Sequence, residues 1–260
     1  MAKGKNKKIS KKAKNAKRGD KHPFLKKEWF TLISPAALKK TVPVGWTVCK
    51  KPTGTQVVAD FLRGRVAEIS YADITDNARD VSKKVTMVVD EIQGNICATS
   101  FYGFELSKEK IFMMLKKRQT LIEVYSDVKC ADGVILRIFL VLTTSRKPNQ
   151  VRLNSYANSS TVRVLRKKLV SELLQYAITK SSDDFAYEAI SGVLNTKLEK
   201  SASEVIPEVK LQVTKIKTVK RGNVDLSKVL ESAQATIKAT GESKLEERPE
   251  AQNLISAQQE

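Results

Sequence analysis

One histidine and three cysteines are all that the 260-residue sequence offers of the side chains most often recruited for metal binding and nucleophilic catalysis. Cys49, Cys97 and Cys130 stand far apart with no C-x-x-C pair, and His22 sits at the edge of a highly basic start. A tetrahedral zinc site wants four Cys or His ligands, usually two of them closely spaced, so this chain alone builds none. An odd number of cysteines in apolar surroundings points instead to reduced thiols of a cytosolic protein, buried as small hydrophobes. Neither a P-loop nor a G-x-G-x-x-G after a strand is present. Asp90 and Glu91 are the one adjacent acid pair among the expected strands. Neighbours on a strand point to opposite faces and cannot clasp one ion, so they read as a solvated approach to the turn at Gly94. No catalytic residue and no cofactor is expected.

Long apolar runs are also missing. The most apolar stretch, "GVILRIFLVL", is interrupted by Arg137 and is about half the ~20 residues that a membrane span needs. With no signal peptide visible, the expectation is a soluble intracellular protein with no membrane partner.

The scarcest commodity is negative charge. The net charge is +19, and residues 3–21 set ten Lys or Arg against the single Asp20. Ordering such a segment costs roughly 1–2 kcal/mol per residue, with Ile9 the only large aliphatic side chain to bury in return. The start is therefore expected to be disordered until a polyanion orders it, and a solvated or nuclear-import tail is the bland alternative. Two further windows, 133–171 and 209–224, contain no acid at all, whereas the last nineteen residues carry five Glu against Lys244 and Arg248.

What is present suffices for a folded body, with 41% apolar residues. In "HPFLKKEWFTLISP", Phe24, Trp29 and Phe30 are read as pinning the root of the tail onto the core, with base stacking by Trp29 the alternative. Short β-branched runs follow: "WTVCK", "TQVVADF", "RVAEISY", "KVTMVVDEI" and "NICATSFYGF", all read as strands. Ser107 is a helix cap, with Ile111, Phe112, Met114 and Leu115 as the packing face of a helix through "MLKKRQ" to about 119. "TLIEVYSDVKC" and "GVILRIFLVLTTS" form a hairpin through Asp132-Gly133.

Helices dominate thereafter. Val162, Leu165, Leu169, Leu173 and Ala177 recur at spacings of three and four, leaving Arg163, Arg166 and Lys167 on another face; the bland alternative there is a solvated face with one internal pair, Lys168 to Glu172. Ser181 or Ser182 caps a helix over 183–200. "VIPEVKLQVTKIKTVK" is a strand whose phase changes near Thr214, and Asp225 caps a last helix to about Ala235. Strands before helices imply an α+β class, with a barrel-like β-rich sheet and flanking helices. The expected division is a basic extension over 1–22, one core over 23–235 and a flexible acidic tail over 236–260.

The segment "RKPNQVRLNSYANSSTVRVLRKKL" joins seven cations to Asn149, Gln150, Asn154, Ser155, Tyr156, Asn158, Ser159 and Ser160. Arginine forks, amides, hydroxyls and a helix start suit phosphate and ribose oxygens. Candidate nucleic-acid contacts are thus Lys3, Lys5, Lys7, Lys8, Lys11, Lys12, Lys14, Lys17 and Arg18 in the start, Arg146, Lys147 and Arg152 in this segment, and Lys215 and Lys217 in the late strand. RNA fits better than DNA, because no helix-turn-helix, zinc finger or basic zipper is visible. A nuclear DNA-binding protein is the alternative by composition.

Seven stretches in register carry a resemblance. "GKNK", "PFLKKEWF", "TGTQVVADFLRGRVAEISYADI", "DEIQGNICATSFYGFELSKEK", "KKRQTLIEVYSDVKCADGVILRIF", "VRLNSYANSSTVRVLRKKL" and "IPEVKLQVTKIKTVK" together resemble the eukaryotic and archaeal small-subunit ribosomal protein family called eS-one, or S-three-a. The resemblance implies a non-catalytic rRNA-binding protein of the cytosolic small subunit, on the platform near the mRNA exit region and the rRNA 3′ end. It implies neighbouring ribosomal proteins as partners, with mRNA and initiation factors beyond them, a part in assembly and initiation, and nuclear or nucleolar passage. Carried over by position, Ser155, Tyr156, Arg163, Arg166, Lys167 and Lys168 join the RNA-facing candidates. The sequence departs from the family pattern at Arg118, where an aromatic is usual, at Leu153, where a basic residue is, and at "GNVDL". A pre-rRNA processing or modifying factor is the enzymatic alternative.

Overall fold

The computed structural model describes residues 23–52, 54–222 and 226–240. A 3-10 turn at Pro23–Lys26 leads into strand β1 (Lys27–Ile33), followed by β2 (Pro43–Lys50), helix α1 (Val58–Leu62), β3 (Val66–Ser70), α2 (Ala72–Thr75), β4 (Lys83–Gln93) and β5 (Ile96–Leu106). Helix α3 (Lys108–Met114) and the hairpin β6 (Leu121–Lys129) and β7 (Ile135–Thr144) come next. The chain then runs through α4 (Ser159–Ile178), α5 (Ser182–Ser191), α6 (Val193–Ser203), β8 (Val209–Lys220) and α7 (Leu226–Thr240). The class is the expected α+β.

All eight strands share one mixed sheet, ordered β2-β1-β5-β8-β7-β6, with β4 on β5 and β3 on β4 as a branch. The branch arises because β5 pairs β1 in parallel at Ile96 and Cys97 but pairs β8 antiparallel at 103–105. Gly103 makes that second junction possible, since a Cβ there would lie 2.9 Å from the Ile216 carbonyl oxygen. The branch leaves β2, β3 and β6 with one paired neighbour each.

Strict alternation in β6 buries Ile122, Val124, Ser126 and Val128 and exposes the residues between them. The buried set, with Leu136, Ile138, Leu140 and Leu142 of β7, meets Leu165, Leu169, Leu173 and Ala177 of α4 in the main core. Those helical positions all came from the 3.6-residue period. A second core gathers Phe30, Leu32, Leu62, Met87, Val89, Cys49 and Cys97 beneath the branch. Phe30 is buried and Trp29 half-buried, its ring stacked on Phe24 at 5.9 Å, so the aromatic cluster does anchor the first strand.

The phase change in β8 is a bulge: Phe139 pairs Lys215 while Leu140 pairs Val213, leaving Thr214 between them with its Oγ1 donating to the Phe139 carbonyl at 3.1 Å. Four expectations need correction. Residues 58–61 of "TQVVADF" form, with Leu62, the short α1, which delivers fully buried Leu62 to the second core. The helix over 183–200 is two helices, because Gly192 at φ 96° ends α5 and lets α6 start in a new direction. Helix α3 stops at Met114, so "KKR" lies in a loop, and Phe112 and Leu115 are exposed rather than packed. The last helix runs past Ala235 to Thr240, while its expected cap, Asp225, lies outside the described residues.

Candidate nucleic-acid interface

Three threonine and serine hydroxyls determine which cations meet. The Thr144 Oγ1, at the end of β7, accepts from the Thr120 backbone N–H at 2.9 Å and donates to the Ser155 carbonyl at 2.6 Å. Ser155 in turn donates from its backbone N–H and its Oγ to the Arg118 carbonyl, at 3.0 and 3.2 Å. The Ala157 N–H closes the lock by donating to the Thr120 Oγ1 at 3.0 Å. The loop after α3 and the loop before α4 are thereby fastened side by side. Exposed Lys116, Lys117 and Arg118 come to lie next to the segment that carries Arg146, Lys147, Arg152 and Tyr156.

The second loop organises itself largely through Gln150, whose Nε2 donates to the carbonyls of Arg152 and Asn154, both at 2.9 Å, while its Oε1 accepts from the Lys147 N–H. Arg146 spends its Nε on the Leu153 carbonyl at 3.2 Å. Gln150 and Ser155 are therefore scaffolding, whereas Lys147, Arg152 and Tyr156 project into solvent, Tyr156 with 65% of its surface exposed. At the start of α4, Asn158 occupies the cap position without a side-chain cap bond, and the first turn holds no acid. The unsatisfied N–H groups there leave a positive helix end beside exposed Arg163.

Along α4 the cations divide. Arg163 and Lys167 are exposed and have no ion pair among the described residues. Arg166 donates its Nε to the Glu123 carbonyl on β6 at 3.1 Å. Lys168 pairs with Glu204 after α6, and not with Glu172 as the solvated-face alternative has it.

Lys215 and Lys217 do not join this surface. The inward residues Val213 and Ile216 pack in the core shared with the helices, so the lysines lie on the opposite, outer face of the sheet. There Lys215 pairs with Glu105 at 2.8 Å, and Lys217 sits over the Phe139 ring at 5.7 Å. Arg137 is clamped by Asp127 through two bonds of 2.5 and 2.7 Å, and hydrogen bonding from the guanidinium holds the Asp127 carboxyl below its ordinary range. The acid-free sequence windows are therefore not acid-free in space: Asp127, Glu105 and Glu204 reach in from other elements. The candidates Lys3, Lys5, Lys7, Lys8, Lys11, Lys12, Lys14, Lys17 and Arg18 lie outside the described residues.

Asp90 and Glu91 also behave differently from a solvated turn approach. Asp90 occupies a bulge in β4 and is buried, its Oδ1 accepting from Arg221 at 2.7 Å; Glu91 takes two bonds from Arg63. Both hold the fold together. Cys49, Cys97 and Cys130 are free thiols and buried, and burial pushes the Cys97 and Cys130 thiols up to about 11, which removes them as nucleophiles. Sequence reading missed Lys116 and Lys117 as site residues, although their loop is visible as a basic run; it also missed Tyr125 on the outer sheet face, where an aromatic breaks a polar phase.

Comparison with known proteins places the chain in a family. The family model described as the ribosomal S3Ae family matches residues 15–222. The small ribosomal subunit protein eS1 of Babesia bovis is 35% identical over 257 residues, covering 98% of this chain and 97% of that protein. Its counterparts of the same name in Theileria parva and Theileria annulata are each 34% identical over 259 residues, covering 99% of this chain and 98% of theirs. Matched by the family model over residues 15–222 and by relatives of nearly equal length at 34–35% identity, the chain belongs to the ribosomal S3Ae family, a family of structural ribosomal proteins and not of enzymes.

Proposed function

We propose that the chain is built into the small ribosomal subunit by gripping rRNA with the surface formed by the loop at 116–118, the loop at 146–157 and the start of α4. The observation that carries this reading is the set of exposed cations with no ion pair among the described residues, Lys116, Lys117, Lys147, Arg152, Arg163 and Lys167, fixed on one surface by the Thr144 lock. Phosphate contacts of this kind position a protein on folded RNA without reading sequence. The basic start, from Lys3 to Arg18, adds further cations to the same contact. The platform near the mRNA exit region is the proposed seat, with neighbouring ribosomal proteins, mRNA and initiation factors as partners, and with roles in assembly and initiation. On this reading the protein reaches the cytoplasmic ribosome through the nucleus and nucleolus.

The test is equilibrium binding of the full chain to small-subunit rRNA across a salt series. Wild type should lose affinity steeply with salt, and a triple Arg152→Ala, Arg163→Ala, Lys167→Ala change should lower the slope of log K against log salt by about 2–3, roughly one per lost phosphate contact. An unchanged slope would remove this surface from the contact.

A further inference from the structure

The outer face of the hairpin β6–β7 carries a feature that the charge argument leaves unused. Along β6 the solvent-facing residues are Leu121, Glu123, Tyr125, Asp127 and Lys129, so one aromatic stands among polar positions with 72% of its surface exposed. Register sets Tyr125 directly opposite Phe139, and Phe139 opposite Lys215; the next row is Asp127, Arg137, Lys217. The two rings lie with centroids 6.5 Å apart at 32°, and the Lys217 ammonium stands over Phe139. Beside them a cavity of about 370 Å³ is lined by Tyr125, Phe139, Ile111, Glu105, Glu123 and Lys215.

We infer that this face is a stacking platform for unpaired nucleotides of an RNA strand, a second contact that rests on the RNA-binding reading above and extends it from phosphate to base. An exposed ring on an open sheet is how a protein takes up a splayed base, because every base has a π-face; Tyr125 offers that face, while Phe139, covered by Lys217, backs it from the adjacent strand. The surroundings fit that occupant. Asp127 holds Arg137 by two donors and leaves the rest of the fork for a phosphate oxygen, and Lys217 stands where the backbone of a stacked strand passes. Glu105 and Glu123 offer acceptors and Lys215 a donor at the rim of the cavity, where the exocyclic groups of a base would lie. Carboxylates on the face are balanced: Asp127 and Glu105 are both ion-paired, and Glu123 meets the base edge rather than the phosphates. A protein partner suits the face less well, because the ion pairs Arg137–Asp127 and Lys215–Glu105 stand beside the rings, where a standard interface keeps charge away from its centre.

The experiment is fluorescence anisotropy of the full chain with a labelled single strand of about eight uridines, a length within the span such sheets and grooves occupy, and with an A-form RNA duplex of equal length. Tyr125→Ala should weaken the single strand about tenfold, within the range for loss of one stacked base, and leave the duplex unchanged. Tyr125→Phe should keep wild-type affinity, since the ring and not the hydroxyl does the stacking. Tyr125→Ala gives up only the cross-strand ring pair with Phe139, so its melting temperature should fall slightly while the fold is kept, and a 4-thiouridine strand should photocrosslink to the peptides of 121–144. Unchanged single-strand affinity in Tyr125→Ala, or an equal loss on the duplex, overturns the platform. So does a variant that binds RNA normally yet fails to enter assembled subunits, which would give the face to a protein neighbour. The double change Arg163→Ala, Lys167→Ala should weaken both ligands; if it is silent while Tyr125→Ala is not, the platform stands and the α4 surface falls.

Discussion

The two faces of this protein treat positive charge in opposite ways. On the loop and α4 side, Arg152, Arg163 and Lys167 are exposed and lack ion pairs among the described residues, and the hydrogen bonds nearby are spent on backbone. On the outer sheet face, cations are met by carboxylates across the strands, Arg137 by Asp127 and Lys215 by Glu105, and an aromatic pair occupies the centre. On the two proposals above, bare charge answers to a polyanion's backbone, whereas neutralised charge around an exposed ring answers to something flat. The difference teaches that net charge alone locates neither surface; the register of the strands decides which cations stay available.

The hardest blow to this contrast is struck between the faces. Leu165 of α4 is fully buried against the sheet, and Leu165→Ala should cost about 2–5 kcal/mol, the range for a leucine truncated in a packed core. Urea unfolding followed by circular dichroism measures it, and hydrogen exchange should rise on both faces together, since they share that core. A rise confined to one face would mean that the two are supported independently. A finer cut separates them. Thr144→Val removes both bonds of the buried hydroxyl, leaving the Thr120 N–H and the Ser155 carbonyl without it, at an expected cost of about 1–3 kcal/mol. Amides over 146–157 should exchange faster while those around Tyr125 keep wild-type rates.

The smallest effect belongs to the sheet face and depends on pH. Hydrogen bonding from Arg137 holds the Asp127 carboxyl below its unfolded value, so its stabilising contribution is complete above the ordinary carboxylate range and disappears as pH falls through the lowered value. The melting temperature of Asp127→Asn should accordingly sit slightly below wild type at pH 6 and converge with it in strong acid. A gap that persists in acid would assign the effect to packing.

Much of the scaffold was legible in the sequence because it rests on local periods. The apolar face of α4, the hairpin at Asp132 and the bulge at Thr214 each follow from spacing that a few consecutive residues contain. What escaped depends on distant partners. Val57 and Val58 in "TQVVADF" argued for a strand, but burial of Leu62 in the second core favours a helical turn there. Gly192 is a readable break within a helical pattern, but the apolar period runs through it unbroken and hides it. The site suffered more, since counting acids along the chain cannot see Glu204 reaching Lys168 or Glu105 reaching Lys215 across the fold. Arg152, Arg163, Lys167 and Tyr156 were chosen from sequence and emerge exposed, whereas Ser155 and Lys168 are engaged inside the protein.

The bond from Arg166 to the Glu123 carbonyl carries a consequence for the free polypeptide. Strand β6 ends the sheet, and an outermost strand with idle carbonyls and amides invites another chain to extend it. A guanidinium parked on that rim obstructs such growth with a charge that a newcomer would have to dislodge and desolvate. Arg166→Ala should therefore raise the turbidity of the isolated protein during storage, and unchanged turbidity would deny the bond that part.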